Sequence, residues 1–380
     1  MALYEVLIKG GQVFDPARDV RGVYDVAISQ GKIAAIERDI APTQAQRVIM
    51  AQGLLVVPGL VDLHTHLGFE LHTKVVQAND VCPQAGVTTA VDMGSVGAFT
   101  FPWYREQAIK KTAIRLRSFL NIASLGTIAI HTPYYVERYG QYVDLADTLR
   151  TIEENREHIR GIKVFTSGAM VGQWAHHALG AARQVADRVG LPIAVHISMQ
   201  PPPLAEVLAY LGPGDIVTHT YTPHDQGILD EAGRVRPCVW EARRRGVLFD
   251  LGHGAGSFAF DVARKAMAQD FLPDSLSTDL YYANVEKPVK DFPTTISKFL
   301  NLGLPLEDAL ARATCNPARA LGEPTLGTLA PGSPADIALF TLREGAFSFV
   351  DCLGQTLEGP WQLTCELTLY GGQIIYAKGA

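Results

Sequence analysis

Six residues of this sequence are of types that share one chemistry: His64, His66, Lys163, His196, His219 and Asp279. His64-Thr65-His66 closes the apolar run Gly59-Leu60-Val61-Asp62-Leu63. In a strand, residues i and i+2 face the same way, so these two imidazoles can grip one metal ion. Lys163 stands inside Gly161-Ile162-Lys163-Val164-Phe165. A buried ammonium is costly unless it is paired or chemically altered, so this lysine either meets a carboxylate or has changed its chemistry. His196, His219 and Asp279 each close a short strand-like run, at 192–196, 215–219 and 275–279. Taken singly, each reads more readily as a satisfied polar group of the core. Taken together, four imidazoles, a lysine in apolar surroundings and a carboxylate make a ligand set for two divalent ions. Zinc is the expected metal, although imidazole and carboxylate also suit manganese and iron.

Something must bring these residues to one place. Strand-like runs lie at 59–64, 88–91, 117–122, 161–165, 192–196, 215–219, 246–250 and 275–279, with amphipathic stretches such as 179–189 and 202–211 between them. Eight strands alternating with helices predict a closed (β/α)8 barrel, whose active site sits at the C-terminal ends of its strands. An open doubly wound sheet is the alternative, but no glycine-rich phosphate turn follows the first strand. Residues 4–57 read instead as short glycine-punctuated strands, and the chain turns β-rich again after residue 325. The expected architecture is an α/β, TIM-like barrel over 58–324, beside a small β-sandwich domain built from both chain ends, 1–57 and 325–380.

The pattern of histidine pair, lysine, two later histidines and aspartate on strands one, four, five, six and eight resembles the amidohydrolase superfamily. The flanks agree: Val57-Pro58-Gly59-Leu60-Val61-Asp62-Leu63-His64 looks like the usual entry to the first strand. Thr314-Cys315-Asn316-Pro317-Ala318 and Gly327–Asp336 look like the final helix and the return to the small sheet. The resemblance implies that Lys163 is carboxylated to N6-carboxylysine and bridges two metal ions. His64, His66 and Asp279 would hold the more buried ion, and His196 and His219 the more exposed one. It also implies attack by a metal-bridging hydroxide on a small amide or ester, with Asp279 as general acid and base. Asp250-Leu251-Gly252-His253-Gly254-Ala255-Gly256-Ser257-Phe258 is similar to a subgroup described as dihydroorotase-like or deacetylase amidohydrolases. That likeness points to an acylated carboxylate as substrate. It makes His253 an expected substrate or oxyanion contact, with Gly254 and Ser257 lining the substrate side. Two rival activities remain. A dihydroorotase usually carries an arginine two residues after the histidine pair, where this chain has Gly68; a mononuclear deaminase adds a glutamate near the fifth strand, and none follows His196 or His219. A relative that kept the barrel and lost its chemistry would lack ligands, yet all six positions are filled.

Composition narrows the setting. The 380 residues carry a formal charge of −6, with 33 Lys+Arg against 39 Asp+Glu, and no basic face of the kind that binds nucleic acid. Arg243-Arg244-Arg245 reads as the solvated end of a helix, where cations are favoured. The five cysteines show no C-x-x-C spacing and suit a reducing compartment. The N-terminus has no leader pattern and no apolar run reaches a membrane span, so a cytoplasmic protein without membrane attachment is expected. His72, His131, His158, His176, His177 and His224 fall in loops or on helix surfaces by pattern, with His176-His177 the pair best placed to overhang the site. Phe99–Tyr104 is a candidate exposed apolar contact for a homo-oligomer.

Overall fold

The computed structural model describes residues 2–68, 76–128, 130 and 132–379. Five strands open the chain: β1 (Tyr4–Asp15), β2 (Val20–Ser29), β3 (Lys32–Glu37), β4 (Ala45–Met50) and β5 (Leu55–Pro58). Seven parallel strands follow: β6 (Leu60–Thr65), β7 (Val87–Gly97), β8 (Arg115–Asn121), β9 (Ile159–Phe165), β10 (Ile193–His196), β11 (Ile216–Thr218) and β12 (Leu248–Asp250). The last three, β13 (Ile337–Val350), β14 (Thr356–Tyr370) and β15 (Gln373–Ala377), return to the first group. The two ends share one mixed eight-stranded sheet in the order β15-β14-β13-β5-β1-β2-β3, with β4 paired to β1. The expected small β domain from both chain ends is thus built on this mixed sheet, whose two faces have different tasks. Alternate residues of β5 and β13 divide between them: Leu55, Val57, Ala338 and Phe340 pack on the barrel. Val56, Ile337 and Leu339 instead join Ile8, Val13 and Val26 in a separate apolar core.

The eighth barrel segment differs from expectation. Residues 275–280 form no regular strand, but they close the barrel through parallel bridges from Asp250 to Ser275 and from Thr65 to Leu280. Side chains replace part of the ladder here: Thr278 N–H donates to Asp62 Oδ1, not to a backbone carbonyl. Asp279 adopts φ +50°, which interrupts the extended backbone.

Inside the barrel, side chains sort by height. Val61, Leu63, Val91, Met93, Phe119, Ala194 and Ile216 form an apolar floor with Ala318, Leu321 and Leu326. Two residues further along the strands, the inward row becomes His196, Thr218 and Asp250, which are register partners on β10, β11 and β12. The period of two that makes Ala194 and Ile216 a floor therefore makes the next inward row a polar site.

The helix Ala175–Val189 covers the expected 179–189 and buries Ala178, Leu179, Ala182, Val185 and Ala186, the three-and-four spacing of an apolar stripe. The expected helix at 202–211 is shorter, Leu204–Leu208, with Pro203 at its N-cap. Arg243 and Arg244 fall in the last turn of Pro237–Arg244, but Arg243 is not fully solvated: its guanidinium lies 3.9 Å from the centre of the Phe271 ring. The expected apolar contact at 99–104 is corrected. Phe101 and Tyr104 are fully buried, Trp103 is half-buried, and only Phe99 and Pro102 are exposed in this stretch. No helix among the described residues is long and apolar enough to cross a membrane.

The opposite end of the barrel is closed by charge. Glu323, just beyond the final helix, accepts from Arg117 Nε and Arg160 Nε, both at 2.9 Å, on β8 and β9. All three side chains are largely buried. Glu323→Ala leaves two facing guanidinium groups unpaired. Its expected cost is about 3 kcal/mol, the low end for removing one partner of a buried ion pair. Chemical denaturation of the variant measures it, and a loss below about 0.5 kcal/mol would mark the pair as a surface one.

Candidate metal centre

Strand ends deliver the residues. His196 ends β10, His219 follows β11 by one residue, and His64 is the penultimate residue of β6. The β6–β7 register shifts between Asp62 and Thr65, and β6 ends before His66, so simple alternation does not by itself place this pair. Both rings nevertheless reach Asp279. His64 Nε2 and His66 Nε2 stand 3.3 Å and 3.2 Å from the same Asp279 Oδ1. Ligand atoms of these three residues all lie within 4.8 Å of one another. The other imidazoles abut them: ring centres are 5.0 Å apart for His64–His219 and 4.3 Å for His196–His219.

Outer hydrogen bonds decide which nitrogen each ring offers. His219 Nδ1 lies 2.7 Å from Gly252 O. A carbonyl only accepts, so Nδ1 carries the proton and Nε2 is bare. His64 Nδ1 meets Thr218 Oγ1 at 2.8 Å, and that hydroxyl donates to Asp250 Oδ2 at 2.8 Å. His66 Nδ1 meets Ser95 Oγ at 2.7 Å, and Ser95 also bonds Asp92 through its side chain. Three rings thus turn bare nitrogens toward the site, the arrangement outer partners impose on metal-ligating histidines.

Electrostatics keeps the rings neutral. Burial first, then repulsion from Lys163 and from neighbouring imidazoles, holds His64 and His196 far below the usual histidine range. Burial takes His219 down to about 4 despite the pull of Asp279. Lys163 on β9 is completely buried, and its Nζ has no hydrogen-bond partner. Burial lowers it to about 8, against the attraction of Asp279, Asp250 and Asp92. Free amine is therefore accessible near neutral pH. An anionic carbamate on that nitrogen would remove the unpaired ammonium, and with it the cost of burying one. Bare imidazoles, a carboxylate and an orphaned buried amine fit a divalent metal centre.

The substrate-side expectations fare differently. Gly254 does lie at the site: a Cβ there would stand 2.4 Å from Asp279 Oδ2, so only glycine lets the turn approach. Ser257 is close by, 3.6 Å from the same point. His253 requires correction. It is fully buried, its Nδ1 bonds Gly254 O at 2.9 Å, and its Nε2 accepts from Lys298 Nζ at 2.7 Å. No ring nitrogen is left for a substrate oxygen. Among the described histidines, His158 and His176 pair with Glu157 and Glu206, whereas His224 lies near enough to His196 to repel its charged form. His176 does so at the surface instead of overhanging the site. His72 and His131 lie outside the described residues. Sequence reasoning missed Asp92, Ser95, Thr218, Asp250 and Lys298. The available signal was a charged residue inside an apolar run, as in Val91-Asp92-Met93 and Ser297-Lys298-Phe299.

Comparison with known proteins agrees with this geometry. A model of the Amidohydrolase family matches residues 260–358. A deacetylase of Enterococcus faecalis is 30% identical over 375 residues, spanning 98% of this chain and 99% of that one. The chain belongs to the amidohydrolase superfamily. A deacetylase of Agrobacterium fabrum is 34% identical to this amidohydrolase over 325 residues, 85% of this chain and 79% of the relative. Two crystal structures resemble it over nearly the whole chain. One, of an adenine deaminase, has TM-score 0.91 and 30% identity, with coverage of 99% and 100%; the other, of a dihydroorotase, has 0.88 and 31%, with coverage of 98% and 97%. The protein is a hydrolase of this superfamily, in which C–N bonds are the common target.

The Lys298–His253 pair makes a measurable prediction. Burial lowers Lys298 from 10.5 to about 7, so between those values the unfolded chain holds one more proton than the folded one. Stability contributed by this group is therefore least below pH 7 and rises with pH through the window. Thermal melts at about pH 7 and about pH 9 should show a larger rise for the native protein than for Lys298→Met. Equal rises would mean that the lysine is not held in its neutral form.

Proposed function

We propose that this amidohydrolase is a binuclear metal-dependent hydrolase that removes an acyl group from a small amide or ester. His64, His66 and Asp279 would hold one ion and His196 and His219 the other, with Lys163 as N6-carboxylysine between them. The observation that carries the reading is Lys163 Nζ, buried without a partner beside a carboxylate and a set of neutral imidazoles. When bound, divalent ions polarise the scissile carbonyl and make water acidic enough to attack near neutral pH; zinc is the proposed metal.

The chain's own residues supply the rest. Asp279 Oδ1 faces two bare imidazole nitrogens, and its Oδ2 lies against the Gly254 turn. It takes the proton from the attacking water and returns it to the leaving amine or alkoxide. Gly254 and Ser257 line the substrate side. His253 braces the Gly254 turn from behind through its bond to Gly254 O.

The names of the relatives at 30–34% identity support deacetylation, and an acylated carboxylate is the proposed substrate class. Cyclic-amide opening is the second reading, favoured by the likeness to a dihydroorotase structure. Gly68 weighs against it. The residue adopts φ +73°, and a Cβ there would stand 2.9 Å from the Ala108 Cβ, which leaves no place for a substrate-clamping guanidinium.

Protein grown with zinc and bicarbonate should hold two metals per chain and, by mass measured without acid, one added CO2 on Lys163. One metal at full occupancy, with no added CO2, would move the mononuclear deaminase reading ahead. Asp279→Asn should lower kcat by about 10²–10⁴-fold on whichever acyl substrate is turned over. An Asn variant with native kcat would remove Asp279 from proton transfer.

A further inference from the structure

We infer that Asp250 is a positioning residue that fixes the ring protonation of His64 and seats the turn whose carbonyl fixes that of His219, one histidine on each half of the proposed metal centre. The inference rests on the ligand assignment above for its consequence, though not for its geometry. Asp250 ends β12 and is fully buried. Three hydroxyls surround it: Ser275 donates to Oδ1 at 2.6 Å, and Thr218 and Ser277 donate to Oδ2 at 2.8 Å each. A carboxylate can only accept, and each hydroxyl has one proton to give. The oxygens of Thr218 and Ser277 are therefore left as acceptors on their other sides.

Two branches follow from that constraint. Thr218 Oγ1 can take a proton only from His64 Nδ1, which leaves His64 Nε2 bare and aimed at Asp279 Oδ1, 3.3 Å away. Two acceptors face each other across that gap, the juxtaposition a cation relieves. On the second branch, Ser277 Oγ accepts from Gly252 N at 2.9 Å, and the Gly252 carbonyl accepts from His219 Nδ1 at 2.7 Å. Gly252 is needed there: its φ is +48°, and a Cβ would stand 2.3 Å from Thr218 Oγ1 and 2.8 Å from His219 Nδ1. One carboxylate thus sets the proton of His64 and seats the turn whose carbonyl holds His219. His66 answers to a different carboxylate, Asp92, through Ser95, and serves as an internal control.

The test needs no bound metal. Long-range 1H–15N correlation spectra of metal-free protein labelled with 15N-histidine report which ring nitrogen carries the proton; His→Gln variants assign the signals. The native protein should show His64 and His219 protonated at Nδ1. Asp250→Ala should place His64 in exchange between tautomers and leave His66 unchanged, while His219, whose Nδ1 proton the Gly252 carbonyl holds, keeps its tautomer. Should that variant fail to fold, Thr218→Val acts on the first branch alone: His64 loses its fixed tautomer, His219 keeps it, and Thr218→Ser restores the native signal. Zinc affinity, by chelator competition, should fall about 10- to 100-fold in Thr218→Val and recover in Thr218→Ser. Nε2-protonated His64 in the native protein, or an unchanged His64 signal in Thr218→Val, overturns the inference. Native protein with the expected tautomers but no zinc binding overturns the ligand assignment and leaves the positioning role standing.

Discussion

The amine of Lys163 sits in the interior of the barrel with nothing to bond, and the remainder of the site answers to that fact. An ammonium so placed pays for lost hydration without a partner. Three carboxylates, those of Asp279, Asp250 and Asp92, pull on it from a distance, yet burial prevails and the group loses its proton near 8. The same burial, reinforced by repulsion from Lys163 and neighbouring imidazoles, depresses His64 and His196, which therefore remain neutral and keep their lone pairs. Ligand basicity and lysine reactivity are thus two results of one desolvated interior.

Such an interior must be held rigidly, because it is unfavourable by itself. The apolar floor of Val61, Leu63, Met93 and Phe119 supports it from below. His219 and Asp279 adopt φ +72° and φ +50°, a region that costs a non-glycine residue about 1–2 kcal/mol. Both lie at the point where a strand gives way to its loop. Barrel closure over-determines them: Asp279 N–H is tied to His64 O at 2.7 Å, and His219 Nδ1 to Gly252 O. Strain of this kind persists only where surrounding structure enforces it, and it collects at functional sites.

The outer layer is built from buried carboxylates linked to imidazoles by single hydroxyls. A direct carboxylate–histidine contact would favour a charged ring. An intervening Thr218 or Ser95 passes on direction, through its one proton, while keeping the charges further apart: His64 Nδ1 and Asp250 Oδ2 are 3.8 Å apart. The rings are oriented at Nδ1 without touching a carboxylate there.

Much of this was legible in the sequence. Residues at strand ends are fixed by local alternation, and in a parallel barrel every strand ends on the same face, so His64, Lys163, His196, His219 and Asp279 could be listed together from their runs alone. The two β-rich ends, their pairing and the barrel between them were likewise written in periodicity. Tertiary structure decided what depends on contacts between distant segments. Ser275–Asp279 looked like a strand, but at Thr278 the ladder bond goes to the side chain of Asp62, 216 residues away. His253 looked free to meet a substrate, but Lys298, 45 residues further on, occupies its second nitrogen. Asp250 looked like an ordinary strand end, and only the convergence of Thr218, Ser275 and Ser277 on it reveals its place. A residue's period is set by its own backbone and can be read locally; its hydrogen-bond partner is set by whichever segment the fold brings within 3 Å, and no local pattern records that.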